Sequence, residues 1–112
     1  ADLIYGDERL MVEFLGKRKR LYSILKSQGY DVTMEEFLNV KYDEDFDMFL
    51  YQDIGYELIT TFTMGLFLSP YSVTSLREYF AIGFEHYYLK DRKYVKNISP
   101  ILFEKLEYIS GF

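Results

Sequence analysis

Residues 75–89, Ser-Leu-Arg-Glu-Tyr-Phe-Ala-Ile-Gly-Phe-Glu-His-Tyr-Tyr-Leu, constrain the fold more than any other stretch. At 100° per residue, Leu76, Phe80, Gly83 and Tyr87 fall on one narrow stripe, with Tyr79 and Phe84 at its sides. That is a helix with a core face. Almost opposite lie Glu78, Ile82 and Leu89, with Glu85 beside Glu78 and Ala81 at the edge. Two large aliphatics there predict that the second face is covered too. Glu78 would then be partly buried and would need a cation, hydrogen-bond donors or a metal. The plainer alternative pairs Glu78 with Arg77 or a lysine at the surface and leaves Ile82 and Leu89 as scattered exposed apolars. Periodicity by itself favours the plainer one.

The rest of the chain also reads as helix. Asp7 can cap a long helix over about residues 8–27, where Leu10, Phe14, Leu21 and Leu25 follow helical spacing. Gly29 is its stop signal. Thr33 and Glu36 stand three apart, as a capping box requires, before Phe37, Leu38 and Val40. Residues 41–50 are acidic, with Phe46, Phe49 and Leu50 as one apolar edge on a surface segment. Residues 55–62 fit a helix. Gly65 and Pro70 stop it from running further, and residues 63–71 read as a loop or a short extended piece. Thr74 or Ser75 caps the helix over 76–89. Residues 90–97 form a turn or short helix. Ser99 caps a last helix with Pro100 at its first position, burying Ile101, Leu102, Leu106 and Ile109. The expectation is a mainly α, single compact domain of about five helices over residues 1–112.

Composition excludes several functions. The chain has 112 residues, enough for one modest core, and 22 Tyr and Phe to fill it. A net charge of −5 argues against nucleic-acid or anionic-membrane partners. The basic run Lys17-Arg18-Lys19-Arg20 points in four directions on a helix and reads as a solvated turn. Absence of cysteine removes disulfides and thiolate chemistry, and the one histidine, His86, removes any two-histidine metal motif. His86 lies far around the helix from Glu78 and reads as structural or interfacial. The acidic cluster Asp43, Glu44, Asp45 and Asp47 lacks the ligand order of a calcium loop. No signal peptide is visible, and residues 58–76 carry too many Thr and Ser to span a membrane. A first residue other than Met suits a piece of a longer polypeptide, or an expression remnant.

"SPYSVTSLREYFAIGFEHYYL", followed by "ISPILFEKLEYI", resembles the C-terminal part of the lethal-factor-like zinc peptidases of toxin and phage or prophage type. The match is best over residues 69–112. The resemblance implies the C-terminal portion of a zincin-like fold and peptide-bond hydrolysis by zinc-activated water. It implies that Glu78 of "EYFAIGF" is the glutamate ligand to zinc, and that Tyr71 is the loop tyrosine that assists at the substrate oxyanion. Two departures stand out. The family's second glutamate is Ile82 here. The two histidines and glutamate of His-Glu-x-x-His are absent, so this chain cannot complete a catalytic zinc site.

Two functions follow as expectations. One is the C-terminal subdomain of a zinc metallopeptidase, with zinc and a peptide or protein substrate bound only by the full-length protein and not by this chain alone. The other is a non-catalytic helical interaction module, able to form a homodimer through the Ile82 and Leu89 face. Neither involves nucleic acid or a membrane, and the cellular location is open.

Overall fold

The computed structural model describes residues 3–111; Ala1, Asp2 and Phe112, the ends of the expected 1–112 domain, lie outside the described residues. Asp7 opens the first helix, α1 (Glu8–Ser27), by accepting from the Leu10 N–H at 3.1 Å. Leu10, Phe14, Leu21 and Leu25 are all fully buried, as their spacing predicts. Gly29, at φ +90°, turns the chain out of α1. The Glu36 carboxylate reaches back to the Thr33 N–H at 3.1 Å and opens α2 (Met34–Leu38). Phe37 is the buried residue of that short helix, while Leu38 stays exposed.

Asp43 caps α3 (Glu44–Met48), whose apolar edge buries Phe46. The chain then widens into a π-helical segment, Phe49–Gly55, and α4 (Tyr56–Thr63) follows. Gly55, at φ +97°, makes that change of direction, which a side chain would resist. Turns over residues 64–69 lead to a 3-10 turn, Pro70–Val73. Ser75 caps α5 (Leu76–Leu89) by accepting from the Glu78 N–H at 3.1 Å. Last come α6 (Arg92–Ile98) and α7 (Pro100–Ile109). The architecture is mainly α, with no strand among the described residues. Its radius of gyration, 13.8 Å, is close to the roughly 13 Å expected for a compact chain of this length. Seven α-helices replace the expected five or so, because residues 33–63 break into short pieces and residues 92–98 form a full helix.

Three readings need correction. The basic run is not a solvated turn. Lys17 and Arg18 are buried within α1, and only Lys19 and Arg20 face solvent. Four directions on a helix include inward ones, and inward cations are tolerated where backbone carbonyls receive them. Arg18 is fully buried, and donates to Val73 O at 2.7 Å, Phe37 O at 3.2 Å and Thr74 O at 3.1 Å. Its guanidinium lies between the Phe14 and Phe46 rings, at 4.8 and 4.5 Å from their centroids. Five N–H donors in one plane let a single side chain satisfy carbonyls from two loops at once. Burial pulls its pKa down to about 10.

The core stripe of α5 differs from the expected one at a single position, with Tyr79, expected at its side, buried in place of Phe80. Leu76, Tyr79, Gly83 and Tyr87 are buried; Phe80 is half-buried and Phe84 exposed. The opposite face is not uniform either. Ile82 is half-buried and packs on the core, whereas Leu89 is 79 % exposed.

Ser99 stands at the head of α7 but does not cap it with its hydroxyl. Glu13 of α1 does that work. Its carboxylate accepts from the Ile101 N–H at 2.7 Å and the Leu102 N–H at 3.2 Å. A carboxylate at a helix N-terminus is favoured both by the free N–H groups and by the helix dipole.

Candidate functional site

Tyr71 lies in the 3-10 turn and Glu78 in the first turn of α5. Pro70 starts the turn with its fixed φ, and Ser75 starts the helix, so two short local signals set both side chains. Tyr71 packs beside a third residue that the periodicity did not single out, and Glu78 acts on it electrostatically. Tyr51, in the π-helical segment, has its ring centroid 5.5 Å from that of Tyr71 and 6.3 Å from that of Tyr56. Its phenol is held well above the usual range, first by burial and then by the nearby Asp47, Tyr71, Tyr56 and Glu78. The Tyr51 hydroxyl is buried and has no hydrogen-bond partner among the described residues.

Glu78 is half-buried. Among the described residues its carboxylate makes neither an ion pair nor a hydrogen bond. Arg77, the partner in the plainer sequence reading, is exposed beside it without an ion pair. Tyr56 and Tyr71, beside Tyr51, are each more than half exposed.

These residues do not make a zinc site. Among the described residues no three of His, Cys, Asp and Glu gather in one place. His86 stands about 12 Å further along α5. It is half-buried, with Nδ1 lacking a partner. Its pKa is lowered by burial and by Lys90.

A second polar group lies on the far side of α5, where α1, α5 and α7 meet. Lys17 Nζ donates to Ile98 O at 2.7 Å and to Ser99 Oγ at 2.6 Å. The Tyr79 hydroxyl donates to Glu13 Oε1 at 2.6 Å and its oxygen accepts from the Ser99 hydroxyl at 3.0 Å. Burial lowers Lys17 to about 8, with Glu13 pulling the other way. Burial and Glu13 drive the Tyr79 phenol far upward. Glu13 and Lys17 are spaced i, i+4 on α1, and this is the signal that could have found the cluster. Ser99 and Tyr79 are fully buried, so the group cross-links α1, α5 and α7 from within the fold. No family model matches the chain, and neither does any curated protein or solved structure.

Proposed function

We propose that this chain is the C-terminal helical subdomain of a lethal-factor-like zinc metallopeptidase, and that it is not catalytically complete by itself. One observation supports the reading. Of the two residues that the resemblance singles out, Tyr71 packs its ring beside Tyr51 and Glu78 acts electrostatically on the same phenol, while the Glu78 carboxylate has no partner of its own among the described residues. A half-buried carboxylate without a cation or donor is costly to keep. A site completed by another part of the polypeptide accounts for it. Because the residues present do not form a zinc set, no catalytic step is assigned to them. Glu78 contributes a carboxylate and Tyr71 an exposed hydroxyl.

The test is made on the polypeptide that carries the segment upstream of this one. That segment is expected to contain His-Glu-x-x-His. E78Q should then remove bound zinc, read by metal analysis, together with peptide hydrolysis; Y71F should lower hydrolysis while zinc stays bound. An upstream segment without the two histidines, or full zinc retention in E78Q, would overturn the proposal.

One observation favours the alternative, a non-catalytic interaction module. Phe84, Tyr88 and Leu89 are exposed together along the outer side of α5, with the Phe84 and Tyr88 rings 4.6 Å apart. Self-association through this side, with Ile82 at its half-buried margin, would appear in light scattering as a dimer that L89S abolishes. A monomer at high concentration rejects it.

A further inference from the structure

The basic run of α1 divides into two pairs with different duties. Lys17 and Arg18 are consumed inside the fold. Lys19 and Arg20 are exposed, and neither makes an ion pair or a hydrogen bond among the described residues. They stand over a furrow. One depression of about 320 Å³ is lined by Lys19, Arg20, Ser23 and Ile24. A second, of about 360 Å³, adjoins it through Arg20 and Ile24 and continues over Phe62, Met64, Gly65 and Leu66. Lys19 and Ser23, like Arg20 and Ile24, are spaced i, i+4, so one side of α1 forms a continuous wall. Met64, 73 % exposed, forms part of the opposite rim. Gly65, at φ +76°, turns the chain there so that Leu66 meets the furrow.

We infer that this furrow between α1 and the turn after α4 binds an acidic, apolar peptide segment of a partner protein. Ile24, Phe62 and Leu66 offer apolar contacts along it for Leu- or Phe-like side chains, and Met64 is an adaptable contact for them. The two cations at the rim have no carboxylate of their own, in a chain whose net charge is −5. Local positive charge against a negative background is what draws a segment carrying Asp or Glu and orients it. A concave furrow receives an extended segment, which a flat lipid surface does not supply. This inference stands apart from the peptidase reading and concerns a different side of the molecule.

The experiment uses the chain itself and a fluorescein-labelled short peptide of repeating Glu-Glu-Leu-Leu, read by anisotropy. Saturable binding is expected, weakening as salt is raised. The K19E/R20E double variant should bind on the order of tenfold more weakly, from two lost attractions and two new repulsions at exposed positions. K93E, on α6, should bind as the parent does. Circular dichroism checks that the double variant folds; if it does not, K19Q/R20Q must show a smaller loss of the same kind. Four results would each overturn the inference: no saturable binding, binding indifferent to both double variants, equal binding of a Lys-Lys-Leu-Leu peptide, or preference of the same residues for phosphatidylserine vesicles over the peptide.

Discussion

At the scale of single residues, Arg18 and Lys17 decide more than their number suggests. Arg18 has no carboxylate facing it; it is held by carbonyls at the end of α2 and at the entry to α5. R18M should therefore cost about 3 kcal/mol or more in chemical denaturation, because the buried carbonyls lose their donors while the packing volume stays similar. R18K should recover only part of this, since one ammonium cannot span carbonyls from two loops. A measured cost under about 1 kcal/mol for R18M would mean that water replaces the guanidinium.

Lys17 gives a pH effect of defined sign. Its folded pKa is lowered to about 8 by burial, against 10.5 unfolded. Between those values the unfolded chain holds a proton that the folded chain has released. Folding is then favoured by rising pH, and the contribution against folding is complete only below about pH 8. Denaturation of wild type and K17M from pH 7 to 10 should show wild type gaining stability on the variant, with a slope of at most ~1.4 kcal/mol per pH unit. Parallel curves would show that Lys17 stays charged on its two oxygen partners throughout.

At the scale of elements, helix ends and close approaches carry the argument. Gly83 of α5 lies against Leu102 of α7, where an added Cβ would come within 2.9 Å of Leu102 Cγ. Leu102 is fully buried and cannot move aside. G83A should destabilise by about 1–3 kcal/mol through overpacking, despite alanine's better helix propensity. A more stable G83A would show that the two helices can separate without loss. Most elements were legible in the residues themselves. Asp7, Thr33 with Glu36, and Ser75 each start a helix as their local chemistry dictates, and Gly29 ends one. Ser99 was misleading because a hydroxyl at a helix start has the same sequence signature whether it faces its own N–H groups or a lysine from elsewhere. The π-helical segment and the phenol of Tyr51 within it left no periodic trace, since widening a helix depends on what packs against it.

At the scale of the molecule, two long-range links tie the start of the chain to its end. Glu13 caps α7, and the Asp7 carboxylate, held below its ordinary pKa by Lys105 and the Leu10 N–H against the opposing effect of burial, pairs with Lys105 at 2.8 Å. The α1 helix thus cannot complete its polar contacts without α7. Removing residues 99–112 should abolish cooperative unfolding of the whole chain, seen as a broad, low thermal transition by circular dichroism. A sharp transition in the truncated chain would show α1–α6 to be an independent unit.

The sequence by itself determined the helical class, the start and stop of α1 and α5, and the absence of a two-histidine metal motif, because these depend on spacing, caps and residue counts. It also raised Glu78 and Tyr71 as a pair to watch. Only the tertiary structure decided which cations are buried and which are free, that Tyr79 rather than Phe80 completes the buried stripe of α5, and that the Tyr51 ring packs beside Tyr71. Those outcomes turn on which carbonyls, rings and carboxylates other segments bring to a side chain. Such neighbours come from 20 to 90 residues away, a separation at which periodicity carries no information.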